Sequence, residues 1–210
     1  MEIITEINQM LQKGRNNNVA QLCTQALEQG VPVREILNDG LIAAMMEVGQ
    51  RFKENKIYVP EVLIAARAMN AGMDVLRPEL VKAGVEPVGK AIICTVKGDL
   101  HDIGKNLVKM MLQGVGIECI DLGVDVDGEA VVEAVKQTGA KLVCLSALLT
   151  TTMTAQEQII KALEDAGIRD SVKVMIGGAP VTEQYAQQIG ADAYTRDAAG
   201  AAEVALSFFE

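Results

Sequence analysis

Aromatic side chains are scarce in this chain. Three Tyr, three Phe and no Trp make up 3% of 210 residues. A core must therefore be filled by Ala, Val, Leu, Ile and ten Met, and with half of the residues apolar a sizeable one is available. Basic residues are outnumbered 19 to 28 by acidic ones, for a net charge of −9. That argues against the basic stripe of a nucleic-acid surface and against attraction to an anionic membrane. No apolar run approaches transmembrane length, and the opening MEIITEINQML, with an early acid and no long apolar core, does not read as a secretory signal. The four cysteines, Cys23, Cys94, Cys119 and Cys144, form no CxxC pair, and three lie in apolar stretches. They read as reduced, buried thiols of a cytoplasmic protein. Common chemical motifs are missing too: no GxxxxGK[ST], HExxH or GxSxG, and the GxG at Gly114 and Gly116 meets Cys119 where its third glycine would stand. Asp121, Asp125 and Asp127 lack the later glutamate of a calcium loop and read as a loop and an N-cap.

What is present divides near residue 88. Before it, only helical periodicity occurs. Ile3, Ile4, Ile7, Met10 and Leu11 make one stripe, Asn16 to Asn18 offer N-caps, and Val19, Leu22, Cys23, Ala26 and Leu27 make a second stripe that Gly30 ends. A third helix is predicted from Val33 to Asn55. A fourth starts near Pro60, with Val62, Ala66, Met69, Met73, Leu76 and Leu80 on one seam and Pro78 expected to kink or end it early. Four such helices read as a small bundle over residues 1–88, closed by the linker AGVEPVGK.

From residue 89 to 210 the pattern alternates. Short apolar runs (AIICTV, IECIDL, KLVCLS, VKVMIG, AYT) are each followed by a helical stretch. Five strand–helix units predict a parallel, doubly wound α/β sheet, most simply in the order 2-1-3-4-5. Ligands of such sheets sit beyond the C-terminal strand ends, at the switch point. Three unusual loops fall there: KGDLHD after strand 1, SALLTTT after strand 3 and GGAP after strand 4. Each alone has an ordinary reading as a polar loop or turn. Together they border one pocket, and the first holds His101, the one histidine of the chain.

Asp99-x-His101-x-x-Gly104, then Ser146-x-Leu148 after 41 residues, then Gly177-Gly178 after 28 more, resembles the signature of cobalamin-binding domains that hold the cofactor base-off. The stretch Glu47–Met73 resembles the helical cap found with it in methyl-transferring corrinoid proteins and in methionine synthase. The resemblance covers nearly the whole chain. It implies a corrinoid protein that takes a methyl group on cobalt from a donor and, as methylcobalamin, passes it to an acceptor such as a tetrahydrofolate or a thiol coenzyme. Such a protein is not a complete enzyme by itself. Its implied partners are a donor-specific methyltransferase, a corrinoid-to-acceptor methyltransferase and a reductive activation protein, with no nucleic acid and no membrane. His101 would be the lower axial cobalt ligand, Asp99 its hydrogen-bonded partner, and Thr152 the hydroxyl that extends the relay, although a Ser is expected there. Ser146, Leu148, Thr150, Gly177 and Gly178 would receive the displaced nucleotide tail, and Asp102, Ile103 and Gly104 would touch the corrin or its tail. Phe52 and Val59, with Met69 and Met73 beside them or serving only as bundle core, would cover the upper face of the cobalt. Three other readings compete: a cobalamin-dependent sensor, which usually adds an output module; the small subunit of an adenosylcobalamin mutase, which generally lacks the cap; and a flavodoxin-like domain that binds FMN or nothing.

Overall fold

A computed structural model describes residues 2–209. The turn at Gly114–Gly116 aside, the chain divides into two compact units, one of residues up to Pro87 and one from Val88 onward.

The first unit is helical. It comprises α1 (Glu2–Gln12), α2 (Asn16–Glu28), the short α3 (Val33–Glu35) that runs through a π-helical segment (Ile36–Ile42) into α4 (Ala43–Lys53), and α5 (Val59–Lys82). The expected stripes face inward: Ile7, Leu11, Val19, Cys23, Leu41, Met45, Met69 and Leu76 are all buried. Three local expectations are corrected. Arg15, not an asparagine, holds the N-cap position of α2 and makes no side-chain cap, while Asn16 opens the helix itself. The third helix is not uniformly α, because the widened turn around buried Ile36, Gly40 and Leu41 interrupts the ladder. Pro78 neither ends α5 nor stops it early: the helix runs on to Lys82. Pro78 faces solvent while Leu76 and Leu80 are buried on either side, so water can satisfy the carbonyl the proline leaves unpaired and the apolar stripe holds the helix in place.

The second unit is a five-stranded parallel sheet, β1 (Gly89–Val96), β2 (Ile117–Val126), β3 (Leu142–Ser146), β4 (Lys173–Gly177) and β5 (Ala193–Tyr194), in the order β2-β1-β3-β4-β5. The connecting helices are α6 (Ile103–Gly114), α7 (Gly128–Thr138), α8 (Met153–Asp165) and α9 (Glu183–Gln188), and α10 (Ala198–Ser207) closes the chain. Both fold class and strand order match the expectation. The β-branched and leucine runs of β1, β3 and β4 are buried because helices shield both faces of a parallel sheet. Asp127 caps α7 through the Ala130 N–H, as expected, whereas Asp121 and Asp125 belong to β2 and not to a loop. β2 is longer than its apolar run because it carries register shifts against β1 between Ile93 and Cys94 and again between Cys94 and Val96.

Candidate functional site: a histidine edge above the sheet

The strand register lines up the three loops. Thr95 of β1 pairs with Ser146 of β3, and Ser146 pairs with Gly177 of β4, so the C-terminal ends of three adjacent strands form one row. The chain leaves that row through Gly98–Asp102, through Ala147–Thr152 and through Gly178.

Asp99 organises the edge. Its side chain is fully buried. One oxygen, Oδ1, accepts from the His101 backbone N–H at 3.0 Å and lies 2.7 Å from His101 Nδ1. The other, Oδ2, accepts from the Leu148 N–H at 2.7 Å and from the Thr152 hydroxyl at 2.8 Å, with the Leu149 N–H further off at 3.4 Å. Burial alone would push this carboxyl's pKa up. The donors from His101, Leu148 and Thr152 outweigh burial and hold it well below the usual carboxylate range. An ionised carboxylate only accepts, so Nδ1 carries the proton and Nε2 of the neutral ring is left with its lone pair. The His101 side chain is 52% exposed, and Nε2 has no partner among the described residues. Thr95 fixes the loop from below by donating its hydroxyl to the His101 carbonyl at 2.8 Å.

The remaining expected residues fall on the same edge. Ile103 and Gly104 open α6 in the open, and Ile103 is 82% exposed. Asp102 accepts from the Asn106 side chain at 3.0 Å and from the Asn106 N–H through its carbonyl, which is the helix-opening role its position suggests. Leu148 and Thr150 are exposed, and the Ser146 hydroxyl has no hydrogen bond among the described residues. Gly178 has φ +135°, and an added Cβ would overlap the Ala147 carbonyl oxygen, so only glycine lets the two loops pass so closely. The four cap residues lie in the other unit: Phe52 in α4, half-buried; Val59 at the start of α5, exposed; Met69 buried and Met73 half-buried within α5.

Sequence reasoning missed three contributors. Thr95 is the one hydroxyl in an apolar strand and could have been flagged. The backbone N–H groups of Leu148 and Leu149 have no side-chain signature. Gln156, fully buried in α8, donates to the Leu145 and Gly177 carbonyls and so ties the ends of β3 and β4, leaving its own Oε1 without a partner.

The edge suits a large, flat, apolar cofactor with a metal. Leu100, Ile103, Leu148 and Leu149 are exposed apolar side chains on the loops around His101. Among the described residues no group of three or more His, Cys, Asp or Glu could hold a metal ion. His101 thus offers a metal one ligand, which fits a metal already held by its own macrocycle.

A parallel sheet whose switch-point edge presents one carboxylate-backed imidazole, joined to a helical unit, defines a corrinoid-binding class of protein. Residues 89–206 match the family described as B12 binding domain, and residues 3–77 match a second model of the same description. The chain belongs to the B12-binding family, and cobalamin is its cofactor. It is 42% identical over 199 residues to trimethylamine corrinoid protein 1 of Methanosarcina acetivorans, covering 94% of this chain and 92% of that one. It is 45% identical over 198 residues to monomethylamine corrinoid protein 1 of Methanosarcina barkeri, covering 91% of each. In the crystal structure of the methanol:cobalamin methyltransferase complex MtaBC from Methanosarcina barkeri, one chain aligns with a TM-score of 0.89 and 31% identity, over 99% of this chain and 80% of that one.

Proposed function

We propose that this chain is the methyl-carrying corrinoid subunit of a methyltransferase system, with His101 as the lower axial ligand of a base-off cobalamin. The observation that carries the proposal is the 2.7 Å contact between His101 Nδ1 and buried Asp99, on a side chain that is half-exposed and whose Nε2 is free to bind a metal. Bound cobalamin would supply a cobalt centre that accepts a methyl group from one partner and yields it to another.

The chain's own residues bind, orient and balance charge. Asp99 fixes the ring's tautomer and raises the basicity of Nε2. Thr152 and the Leu148 N–H keep the carboxylate ionised and still. Ser146, Leu148, Thr150, Gly177 and Gly178 are the proposed seat of the nucleotide tail, supported by the free Ser146 hydroxyl and the close loop passage at Gly178. Asp102, Ile103 and Gly104 lie beside His101 as the proposed contacts to corrin or tail. The cover formed by Phe52, Val59, Met69 and Met73 is proposed on the resemblance alone.

The relatives' names point to methylated amines and methanol as the class of donor, each activated by its own methyltransferase. A second methyltransferase would take the methyl group onward, a reductive activation protein would restore the cobalt, and the system would work in the cytoplasm. No helix among the described residues is long and apolar enough to cross a membrane.

The test is reconstitution. Protein loaded with cobalamin should stay red through gel filtration and show the spectrum of a nitrogen-ligated cobalt, and His101→Ala should convert it to the spectrum of the unligated, base-off form. A histidine-free variant with the wild-type spectrum would remove His101 from the metal.

A further inference from the structure

β2 does not run straight past the histidine loop. Cys94 pairs with Gly123 and Val96 with Val126, so a two-residue step on β1 faces a three-residue step on β2. The extra length is a β-bulge, a device that re-aims groups beside functional sites. Asp125 sits inside it with φ +56°, one of two non-glycine residues with left-handed backbone among those described. Aspartate tolerates this conformation better than most residues but at some cost, and such strain persists only where the surroundings enforce it.

The bulge turns Asp125 onto the loop that carries His101. Its backbone N–H donates to the Asp99 carbonyl at 3.0 Å. Its Oδ1 accepts from the Gly98 N–H at 2.8 Å, and its Oδ2 lies 3.5 Å from Lys97 Nζ. Three successive loop residues, Lys97, Gly98 and Asp99, are thus held by one residue of the neighbouring strand. The Lys97 pair is solvent-exposed on both sides and adds little. The Gly98 and Asp99 bonds are directional and pin the peptide units on either side of the Gly98–Asp99 peptide, and with them the Cα from which the Asp99 side chain springs.

We propose that Asp125 is a positioning residue for axial ligation: its strained bulge sets the height and tilt of the Gly98–Asp99 peptide, and through Asp99 the direction of the His101 ring. The inference rests on His101 being the axial ligand. It separates two properties that a merely structural residue would change together. Glycine is at ease at φ +56° but supplies no side-chain acceptor. Glutamate keeps the charge but carries its carboxylate one methylene too far. Asparagine keeps both the backbone tolerance and an oxygen in reach of the Gly98 N–H.

The full-length protein and its Asp125→Gly, Asp125→Glu and Asp125→Asn variants are loaded with cobalamin. The fraction with histidine bound to cobalt is read from the visible spectrum, and the melting temperature is measured without cofactor. Asp125→Gly and Asp125→Glu are expected to lower the equilibrium constant for histidine ligation about tenfold, at the low end of losses seen when groups supporting a metal ligand are removed. Asp125→Asn is expected to restore it, and the loss is expected not to follow melting temperature. The glutamate variant keeps the test decisive if the glycine variant folds poorly. Wild-type ligation in both Asp125→Gly and Asp125→Glu would overturn the proposal. Absence of histidine ligation in the wild-type protein would instead overturn the assignment of His101 on which it rests.

Discussion

Leu148 and Asp99 are 49 positions apart in sequence, yet the Leu148 N–H donates to Asp99 Oδ2 at 2.7 Å. That bond joins the loop after β3 to the loop after β1, and the Thr152 hydroxyl reinforces it on the same oxygen. The carboxylate therefore has two faces of different purpose. Oδ1 serves the imidazole, and Oδ2 is spoken for by the neighbouring loop.

Thr152 lends itself to a graded test. Thr152→Ser keeps the hydroxyl and is expected to unfold at the wild-type temperature within a few degrees. Thr152→Val keeps the shape and deletes a bond to a buried charge, a loss of about 1.5–3 kcal/mol. Urea unfolding of the unliganded proteins reads the difference. A valine variant as stable as wild type would mean that the Leu148 N–H alone satisfies Oδ2.

Asp121 makes stability depend on acid. Burial raises its pKa, but bonds from Lys105 at 2.6 Å, Lys109 at 2.7 Å and the Gly123 N–H bring it down to about 2. An unfolded aspartate titrates near 3.9. The unfolded chain therefore takes up the proton first, and the stabilisation present above about pH 4 is lost as pH falls toward 2. Asp121→Asn also leaves Lys105 buried with its charge uncompensated. The gap in unfolding free energy between wild type and this variant is expected to be widest above pH 4 and to close toward pH 2. A gap constant over that range would contradict the pairing.

Gly178→Ala places a methyl group on the Ala147 carbonyl and strains a backbone at φ +135°. Such strain costs on the order of 1–3 kcal/mol. If the loops seat the nucleotide tail, affinity for complete cobalamin falls at least about tenfold, while affinity for cobinamide, which lacks the tail, falls less. Equilibrium dialysis with both ligands gives the comparison, and equal losses would argue against a tail site here.

The thiols give a control on the core. Burial pushes Cys23 up to about 11 and both Cys94 and Cys119 to about 12, and Cys144 lies well above its ordinary value. Thiolate is the reactive form. A disulfide reagent at pH 8 is expected to label the native protein slowly, at a rate that follows unfolding. A fast phase in native buffer would show that α2 or one of the three cysteine-bearing strands is more open than described.

The alternation of apolar runs and helical stretches made the sheet and its order legible, because a buried parallel strand and an amphipathic helix have different periods. Asp99, His101, Ser146 and Gly177 were legible as positions, since each lies at or just beyond the C-terminal end of a strand. What holds them was not. Leu148 contributes through its N–H, which no side chain advertises. Asp125 looked like a loop residue because a β-bulge leaves no periodic trace. Pro78 misled because propensity prices the lost hydrogen bond and not the packing of Leu76 and Leu80 around it. The π segment at Ile36–Ile42 likewise hides inside a regular helical pattern.

The central claim is that Nε2 of His101 binds the cobalt of cobalamin. His101 is the sole histidine, so protein grown on 15N-histidine carries the label at that residue alone. The loaded protein, with cobalt reduced to the paramagnetic divalent state, is examined by electron paramagnetic resonance. The account predicts that the three-line nitrogen splitting of the unlabelled sample becomes a two-line splitting in the labelled one. A three-line pattern that persists with the label would mean that the cofactor's own base, and not His101, holds the cobalt.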